Sequence, residues 1–142
     1  PETAMPTALT SDIEINVYMK KLAEKSNAYQ FIGSVEELGT KYYNSAYVMN
    51  PDGELTSPYR KSHLTPFGEY FPFRNLLSVF ADVINNYDDV DAGTEYEILN
   101  IGEYKVATGI CFEEIFAYLI RKFFKKGANN KIYFTEINRG QC

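Results

Sequence analysis

The clearest pattern of hydrophobic and polar positions lies near the end of the chain. Adjacent apolar residues recur every four positions there, as the pairs Ile115/Phe116, Leu119/Ile120 and Phe123/Phe124. This spacing predicts a helix over residues 113–126 with one buried face, because residues three and four apart share a face of a helix. Basic residues fill the other positions, and Gly127 follows as a typical helix stop.

A second helix is predicted over residues 11–25. Ser11 and Glu14 have the spacing of a capping box, in which each side chain satisfies a backbone N–H of the other residue. Ile13 and Val17 begin an imperfect apolar stripe, and lysines gather towards the end of the helix, where its dipole favours positive charge. We assign no chemistry to this helix.

Apolar and β-branched stretches predict strands over residues 28–33, 42–50, 55–59, 95–101, 103–110 and 131–137. Pro51-Asp52-Gly53 is a strong turn signal, so residues 42–59 form a predicted hairpin that ends close to Lys61. The order strand, helix, strand after residue 103 predicts a parallel pair with a right-handed crossover. A short helix is also predicted over residues 74–84.

Composition narrows the classes of function. The chain has 142 residues, 45% of them hydrophobic, which is enough for one domain with a packed core. Its formal net charge of −5 argues against nucleic acid as a partner. The longest apolar run, residues 115–120, is far shorter than the ~20 residues of a membrane-spanning helix.

An acidic stretch over residues 85–93 raises the question of a metal site. Asp88, Asp89 and Asp91 do not follow the spacing of a calcium-binding EF-hand loop. We therefore expect a solvated turn there, and we predict neither a metal nor any other cofactor for the chain.

Residues 59–73 form a loop in which polar side chains stand among aromatic ones. Pro66, Gly68 and Pro72 exclude a continuous helix or a central strand. A loop this aromatic is expected to fold back onto the domain and to fix its polar residues, such as Lys61 and Glu69. Polar residues held in this way are candidates for a functional site. The alternative is a packed surface loop with a solvated lysine and glutamate.

Cys111 stands between a predicted strand and a predicted helix. Active sites of open α/β sheets are built at such junctions, and a helix N-terminus stabilises a thiolate. Glu113 acts in the opposite direction, because it adds a negative charge nearby. The alternative is a buried structural cysteine. The only other cysteine, Cys142, could pair with Cys111, but two cysteines make no disulfide framework and we favour a catalytic thiol.

Three short segments of the sequence form a set: Pro1-Glu2-Thr3-Ala4, Lys61-x-His63-Leu64-x-Pro66-Phe67-Gly68-Glu69-Tyr70, and Gly109-Ile110-Cys111-Phe112-Glu113. Their order and rough spacing resemble the apolipoprotein N-acyltransferase family of the nitrilase, or carbon–nitrogen hydrolase, superfamily. The resemblance implies an α/β fold, the nitrilase-like α–β–β–α sandwich. It also implies that residues 1–142 are a single partial domain, truncated at both ends, because the family's first strand and membrane helices are absent from the sequence.

The superfamily works with a Glu-Lys-Cys triad, and the resemblance places that triad on matching positions. It implies Glu2 as the general base, Lys61 as the cation for the oxyanion and Cys111 as the nucleophile. It further implies that Glu69 and Glu113 support the triad, and orienting Lys61 is a physical role open to either carboxylate.

His63 is the only histidine and therefore the only candidate for a Cys–His pair. In the resembling family the histidine at this place belongs to the motif without acting as the base, so we favour a role in structuring the loop. Aromatic residues near the motifs are candidates for an apolar mouth that takes an acyl chain, although core packing explains them equally well: Phe67, Tyr70, Phe71, Phe73 and Phe112.

The resemblance implies a ping-pong N-acyltransferase. Cys111 would take a fatty acyl group from a phospholipid as a thioester and pass it to the N-terminal cysteine amine of an apolipoprotein. The resemblance also implies a location at the bacterial inner membrane, with the catalytic domain facing the periplasm. The protein would be attached to the membrane through segments absent from this sequence. Because an incomplete sandwich leaves strand edges unpaired, we expect the isolated chain to be weakly active at best.

Two alternatives stay open at this point. A soluble amidase or nitrilase-type hydrolase would use the same triad on a small amide with water as the acceptor, although the Pro-Phe-Gly-Glu loop favours the acyltransferase. The other alternative is a non-catalytic remnant. The missing ends support it, as do residues 129–142, which lack the tryptophan-containing loop that ends the family's domain.

Overall fold

The computed structural model describes residues 9–66, 68–70, 72 and 89–134 of the chain. The predicted helix over residues 74–84, the candidate residues Glu2, Phe67, Phe71 and Phe73, and most of the tail lie outside these ranges. The described part contains two α-helices and two three-stranded sheets. Within it, no helix combines the length and the apolar character that crossing a membrane requires.

Helix α1 (Ile13–Ser26) begins at a cap that differs from the predicted one. Asp12 Oδ1 accepts hydrogen bonds from the backbone N–H groups of Glu14 and Ile15, both at 3.1 Å. The prediction of a capping box from Ser11 is therefore wrong by one position. The backbone N–H groups of the first turn have no carbonyl acceptor within the helix, and the carboxylate of Asp12 reaches two of them.

The first sheet pairs β1 (Gln30–Leu38), β2 (Lys41–Met49) and β3 (Tyr59–Arg60) antiparallel in that order. β2 and β3 are antiparallel, as the predicted hairpin requires, but β3 overlaps the predicted strand over residues 55–59 only at Tyr59. β1 starts later and runs five residues further than the predicted strand over residues 28–33, and it turns into β2 at Gly39, whose φ of 65° suits a glycine.

Glu36 explains why β1 extends further than its sequence indicates. Its carboxylate is buried and receives a bidentate pair from Arg60 of β3, with N–O distances of 2.8 and 2.7 Å. Ser45 Oγ donates a third hydrogen bond at 2.9 Å. These contacts raise the pKa of Arg60, chiefly through its hydrogen bonds to Glu36. A residue that reads as a surface glutamate is thus held inside the sheet by a partner from another strand.

The second sheet contains β4 (Leu99–Ile101), β5 (Tyr104–Ile110) and β6 (Asn130–Phe134) in that order. β4 and β5 are antiparallel and joined through Gly102, whose φ is 56°. β5 and β6 are parallel, so the predicted parallel pair is confirmed. β4 is shorter than the predicted strand over residues 95–101.

The predicted helix over residues 113–126 divides into two elements. A 3₁₀ turn (Cys111–Ile115) follows β5 directly, and helix α2 (Ala117–Lys125) begins after Phe116, whose φ and ψ of −89° and 87° are not helical. The apolar period predicts α2 itself, but only Leu119 and Phe123 of the paired residues are buried, whereas Ile115 and Phe124 are exposed. The period also continues across the break at Phe116, which it does not predict. Gly127 follows the helix at φ 103°, as expected for a helix stop.

The layers follow from which side chains face each other. Helix α1 covers one face of the first sheet, in a cluster formed by Leu9, Met19, Ala23, Ile32, Tyr47 and Met49. The other face of β2, together with β3, packs on the second sheet and on α2, in a cluster that includes Ala46, Val48, Tyr59, Leu99, Val106, Ile110, Leu119 and Phe123. The resulting order is helix, sheet, sheet, helix, which is the α–β–β–α order expected from the sequence.

Candidate active site

Lys61 lies directly after β3 and is almost completely buried, with 1% of its surface exposed. Its backbone is fixed on both sides: Lys61 N donates to Asn44 O at 2.8 Å, and Gly93 N donates to Lys61 O at 2.8 Å. Lysine is rarely buried unless its charge is paired. The hairpin therefore delivers Lys61 to an interior position, as its place at the strand end indicates.

Glu69 forms an ion pair with Lys61. Lys61 Nζ and Glu69 Oε2 are 2.7 Å apart. Glu69 is itself held in place, since Asn44 Nδ2 donates to Oε1 at 3.0 Å and the backbone N–H of Thr65 donates to Oε2 at 2.8 Å. Of the two carboxylates proposed to orient Lys61, Glu69 has the geometry for that role.

Gly93 allows a third segment to close over Lys61. A Cβ atom at this position would collide with the carbonyl oxygen of Arg60, so a residue with a side chain does not fit. Two residues earlier, Asp91 is paired with Tyr42 rather than simply solvated, because Asp91 N donates to Tyr42 O at 2.6 Å and Tyr42 N donates to Asp91 Oδ2 at 3.3 Å. The expectation of a solvated turn is therefore wrong at Asp91.

Cys111 occupies the predicted junction after a strand and is buried, with 7% of its surface exposed. Its φ is 54°, a left-handed conformation that is uncommon for a residue other than glycine. Such a conformation costs about 1–3 kcal/mol and persists only where the surroundings enforce it. Sharp turns of this kind, placed at the end of a strand, present a side chain for reaction.

Glu113 supplies the contacts that hold this turn. It is completely buried, and its Oε2 accepts from the backbone N–H of Ile110 at 2.9 Å. Its Oε1 accepts from the backbone N–H groups of Ser62 and His63, both at 2.9 Å. Glu113 therefore connects the residue before Cys111 with the two residues after Lys61, which brings the lysine loop and the cysteine turn together.

Tyr59 also contacts this carboxylate. Its hydroxyl lies 2.9 Å from Oε1 and 3.0 Å from Oε2 of Glu113. Burial, followed by the negative charge of Glu113, raises the pKa of Tyr59 well above the usual value for tyrosine. The hydroxyl therefore keeps its proton and remains a hydrogen-bond donor.

An apolar cavity of about 230 Å³ opens beside the cysteine turn. Its lining comes from both motifs and consists of His63, Leu64, Thr65, Pro66, Phe112, Ile115 and Phe116. Phe112, a predicted substrate residue, belongs to this lining. Tyr70 is half-buried and pairs with Pro66 through a β-bridge instead, while Phe67 and Phe71 lie outside the described residues.

His63 is exposed, and its ring faces the start of α2. The ring centroid lies 4.0 Å from that of Phe116, and Nδ1 lies 3.0 Å from the hydroxyl of Tyr118. With its backbone N–H bound to Glu113, His63 ties three parts of the site together. This geometry favours the loop-structuring role over a Cys–His pair.

The sequence interpretation missed Tyr59 as a residue of the site. Tyr59 and Lys61 are two positions apart in an extended segment, so their side chains lie on the same face, and this spacing was the available signal. Glu2, the predicted general base, lies outside the described ranges. Among the residues that the structure describes, no group of three or more His, Cys, Asp or Glu side chains could hold a metal ion.

Comparison with known proteins gives the site a context. The family model described as carbon-nitrogen hydrolase matches residues 3–141. Apolipoprotein N-acyltransferase 1 of Treponema denticola is 37% identical over 99 residues, which cover 66% of this chain and 18% of that protein. Apolipoprotein N-acyltransferase of Geobacter metallireducens is 30% identical over 139 residues, which cover 95% of this chain and 27% of that protein. The chain thus spans about a quarter or less of the length of these relatives.

A solved structure is similar over most of the described fold. A carbon–nitrogen hydrolase from Helicobacter pylori G27 gives a TM-score of 0.60 at 23% identity, covering 86% of this chain and 38% of that one. Similarity at this identity shows the fold alone. The predicted nitrilase-like sandwich is thereby confirmed, in the partial form that the sequence indicates.

Proposed function

Because this chain belongs to the carbon–nitrogen hydrolase family, we propose that it carries the catalytic thiol of an N-acyltransferase acting on apolipoproteins. The observation that carries this proposal is the connection through Glu113, which fastens the turn of Cys111 to the loop of the buried Lys61. The names of the two relatives direct the choice of reaction within the family.

The first half-reaction transfers an acyl group from a phospholipid to the enzyme. The Cys111 thiolate attacks the ester carbonyl, and Lys61 stabilises the negative oxygen of the tetrahedral intermediate. The ester C–O bond then breaks, and the lysophospholipid leaves with the proton that the thiol gave up. Glu2 is proposed as the group that carries this proton. The enzyme is left as a Cys111 thioester.

The second half-reaction transfers the acyl group to an amine. The N-terminal amine of the apolipoprotein attacks the thioester carbonyl and the C–S bond breaks, so an amide forms and the Cys111 thiol is restored. The amine loses a proton in this step, and Glu2 again carries it. The membrane location, with the site facing the periplasm, is part of the same proposal, since the proposed acyl donor is a phospholipid.

The apolar cavity supports an acyl donor over a small polar amide. Its lining includes Phe112, the residue that follows Cys111, and residues 63–66 of the lysine loop. Leu64, Pro66, Ile115 and Phe116 give it the apolar surface that a hydrocarbon chain would bury. A small amide with water as the acceptor would not need this surface.

The test is an intact-mass measurement on the chain after incubation with phospholipid micelles. We expect an acyl adduct that hydroxylamine removes, that is lost in Cys111→Ala and that persists in Cys142→Ala. Persistence of the adduct in Cys111→Ala would refute Cys111 as the nucleophile.

The same samples distinguish the competing functions, provided that circular dichroism shows each to be folded. Ammonia release from a small amide without any lipid adduct would indicate a hydrolase. A folded chain that gives neither product would indicate a non-catalytic remnant.

A further inference from the structure

Tyr59 joins the interior of the fold to the cysteine turn. It is fully buried at the start of β3, and its ring packs edge-on against Phe123 of α2, with centroids 5.3 Å apart and an interplanar angle of 68°. Both ring and hydroxyl are therefore fixed, the ring by α2 and the hydroxyl by the two oxygens of Glu113. Tyr59 thus holds Glu113 from the core side.

Ser62 adds a second hydroxyl to the same carboxylate. Ser62 Oγ lies 3.0 Å from Glu113 Oε1 and 3.2 Å from the hydroxyl of Tyr59. The remaining partners of Glu113 given above are backbone N–H groups, which no substitution removes cleanly. The two hydroxyls are therefore the part of this cluster that a side-chain change can delete.

The geometry of Cys111 depends on Glu113. Glu113 stands two residues after Cys111, and its carboxylate accepts a hydrogen bond from the backbone N–H of Ile110, the residue before Cys111. This hydrogen bond closes a ring that contains Cys111 in its left-handed conformation. We propose that Tyr59 and Ser62 are positioning residues for Cys111, which hold Glu113 in the orientation that keeps the thiol at the lysine loop. This inference rests on the proposed role of Cys111 as the nucleophile.

The consequence is a measurable change in the thiol itself. A thiolate near a cation or at the start of a helical turn forms at lower pH than the ~8.5 of a free cysteine. Loosening Glu113 releases the cysteine turn from the loop of the buried Lys61, to which Glu113 fastens it, so we expect the Cys111 thiolate to form at higher pH. The raised pKa of Tyr59 supports the mechanism, because its hydroxyl stays protonated, and so donates, throughout the titration of the thiol.

The test uses the rate at which iodoacetamide alkylates Cys111 as a function of pH, with Cys142→Ala as the background. In Tyr59→Phe and in Ser62→Ala we expect the midpoint to rise by up to about one pH unit, which lowers the rate at pH 7 by up to about tenfold. The matched control is Tyr47→Phe, which removes the hydroxyl of another buried tyrosine, packed in the cluster under α1. It should leave the midpoint unchanged.

The outcomes separate this inference from the proposed function. If Tyr59→Phe and Tyr47→Phe give the same midpoint as the parent, the positioning role is overturned. A parent midpoint near that of a free cysteine would instead count against Cys111 as an activated nucleophile. If Tyr59→Phe does not fold, Ser62→Ala decides alone, since Ser62 is only partly buried, and an unchanged midpoint in that variant overturns the proposal.

Discussion

Replacing Glu69 with glutamine should destabilise the chain strongly. The Lys61 and Glu69 side chains are 1% and 14% exposed, and their charged atoms are 2.7 Å apart. The change removes the carboxylate charge that Lys61 contacts at this distance, and breaking a buried ion pair costs about 3–5 kcal/mol. This is a large share of the ~5–15 kcal/mol that stabilises a typical domain. We expect urea denaturation of Glu69→Gln to show a loss of this size in the free energy of unfolding.

Glu95→Gln provides a matched control. Glu95 pairs with Lys126 at 3.7 Å, but these side chains are 69% and 47% exposed, so the same chemical change should cost about 0–1 kcal/mol. The double variant Lys61→Met/Glu69→Gln should recover much of the lost stability, because it also removes the buried charge. Equal losses in the two glutamine variants, or no recovery in the double variant, would refute the reasoning.

Three further predictions concern the fold. Gly93→Ala should cost about 1–3 kcal/mol in urea denaturation, because its Cβ would meet a backbone carbonyl, whereas Gly68→Ala, which meets ordinary contacts at 3.8 Å or more, should stay within about 0.5 kcal/mol. Tyr47 and Tyr59 have raised pKa values, caused chiefly by burial. The stability that follows from these raised pKa values is present below pH ~10 and is lost as the pH rises through the pKa values of the folded protein. Tyr47→Phe and Tyr59→Phe should each remove one tyrosine from those that ionise above pH ~10 in an absorbance titration of tyrosinate. Asp12→Ala should lower the free energy of unfolding by about 1 kcal/mol through loss of the helix cap, and no loss would contradict the observed cap.

The local patterns of the sequence predicted those elements whose reasons are local. The apolar period gave α2, and the turn signal after β2 gave the β2–β3 hairpin. The extension of β1 could not be predicted, because it depends on Glu36 and on an arginine 24 positions later. The break before α2 was hidden for a similar reason: Glu113 looks like an ordinary first-turn acid, but its side chain folds back to the end of β5 and to the lysine loop.

For the site, the motifs indicated residue types but not their partners. Orienting Lys61 was a role open to either Glu69 or Glu113, and Glu69 is the one that forms a direct ion pair with Lys61. Glu113 was considered for orienting Lys61, whereas its hydrogen bonds hold the backbone of the two loops. The role of Tyr59 depends on its hydrogen bond to Glu113, 54 positions later in the chain, and a contact between residues so far apart leaves no local pattern in the sequence.

The shortness of β3 has a consequence for how the chain folds. β3 contributes only two residues to its sheet, so backbone pairing alone specifies its alignment weakly. Neighbouring strand residues point to opposite faces, and a slip of one residue would exchange the faces of Arg60 and Lys61. Such a slip would also leave Glu36 buried without its bidentate partner. The Arg60–Glu36 pair thereby favours the native register of β3 over misaligned hairpins in which Lys61 no longer points into the interior.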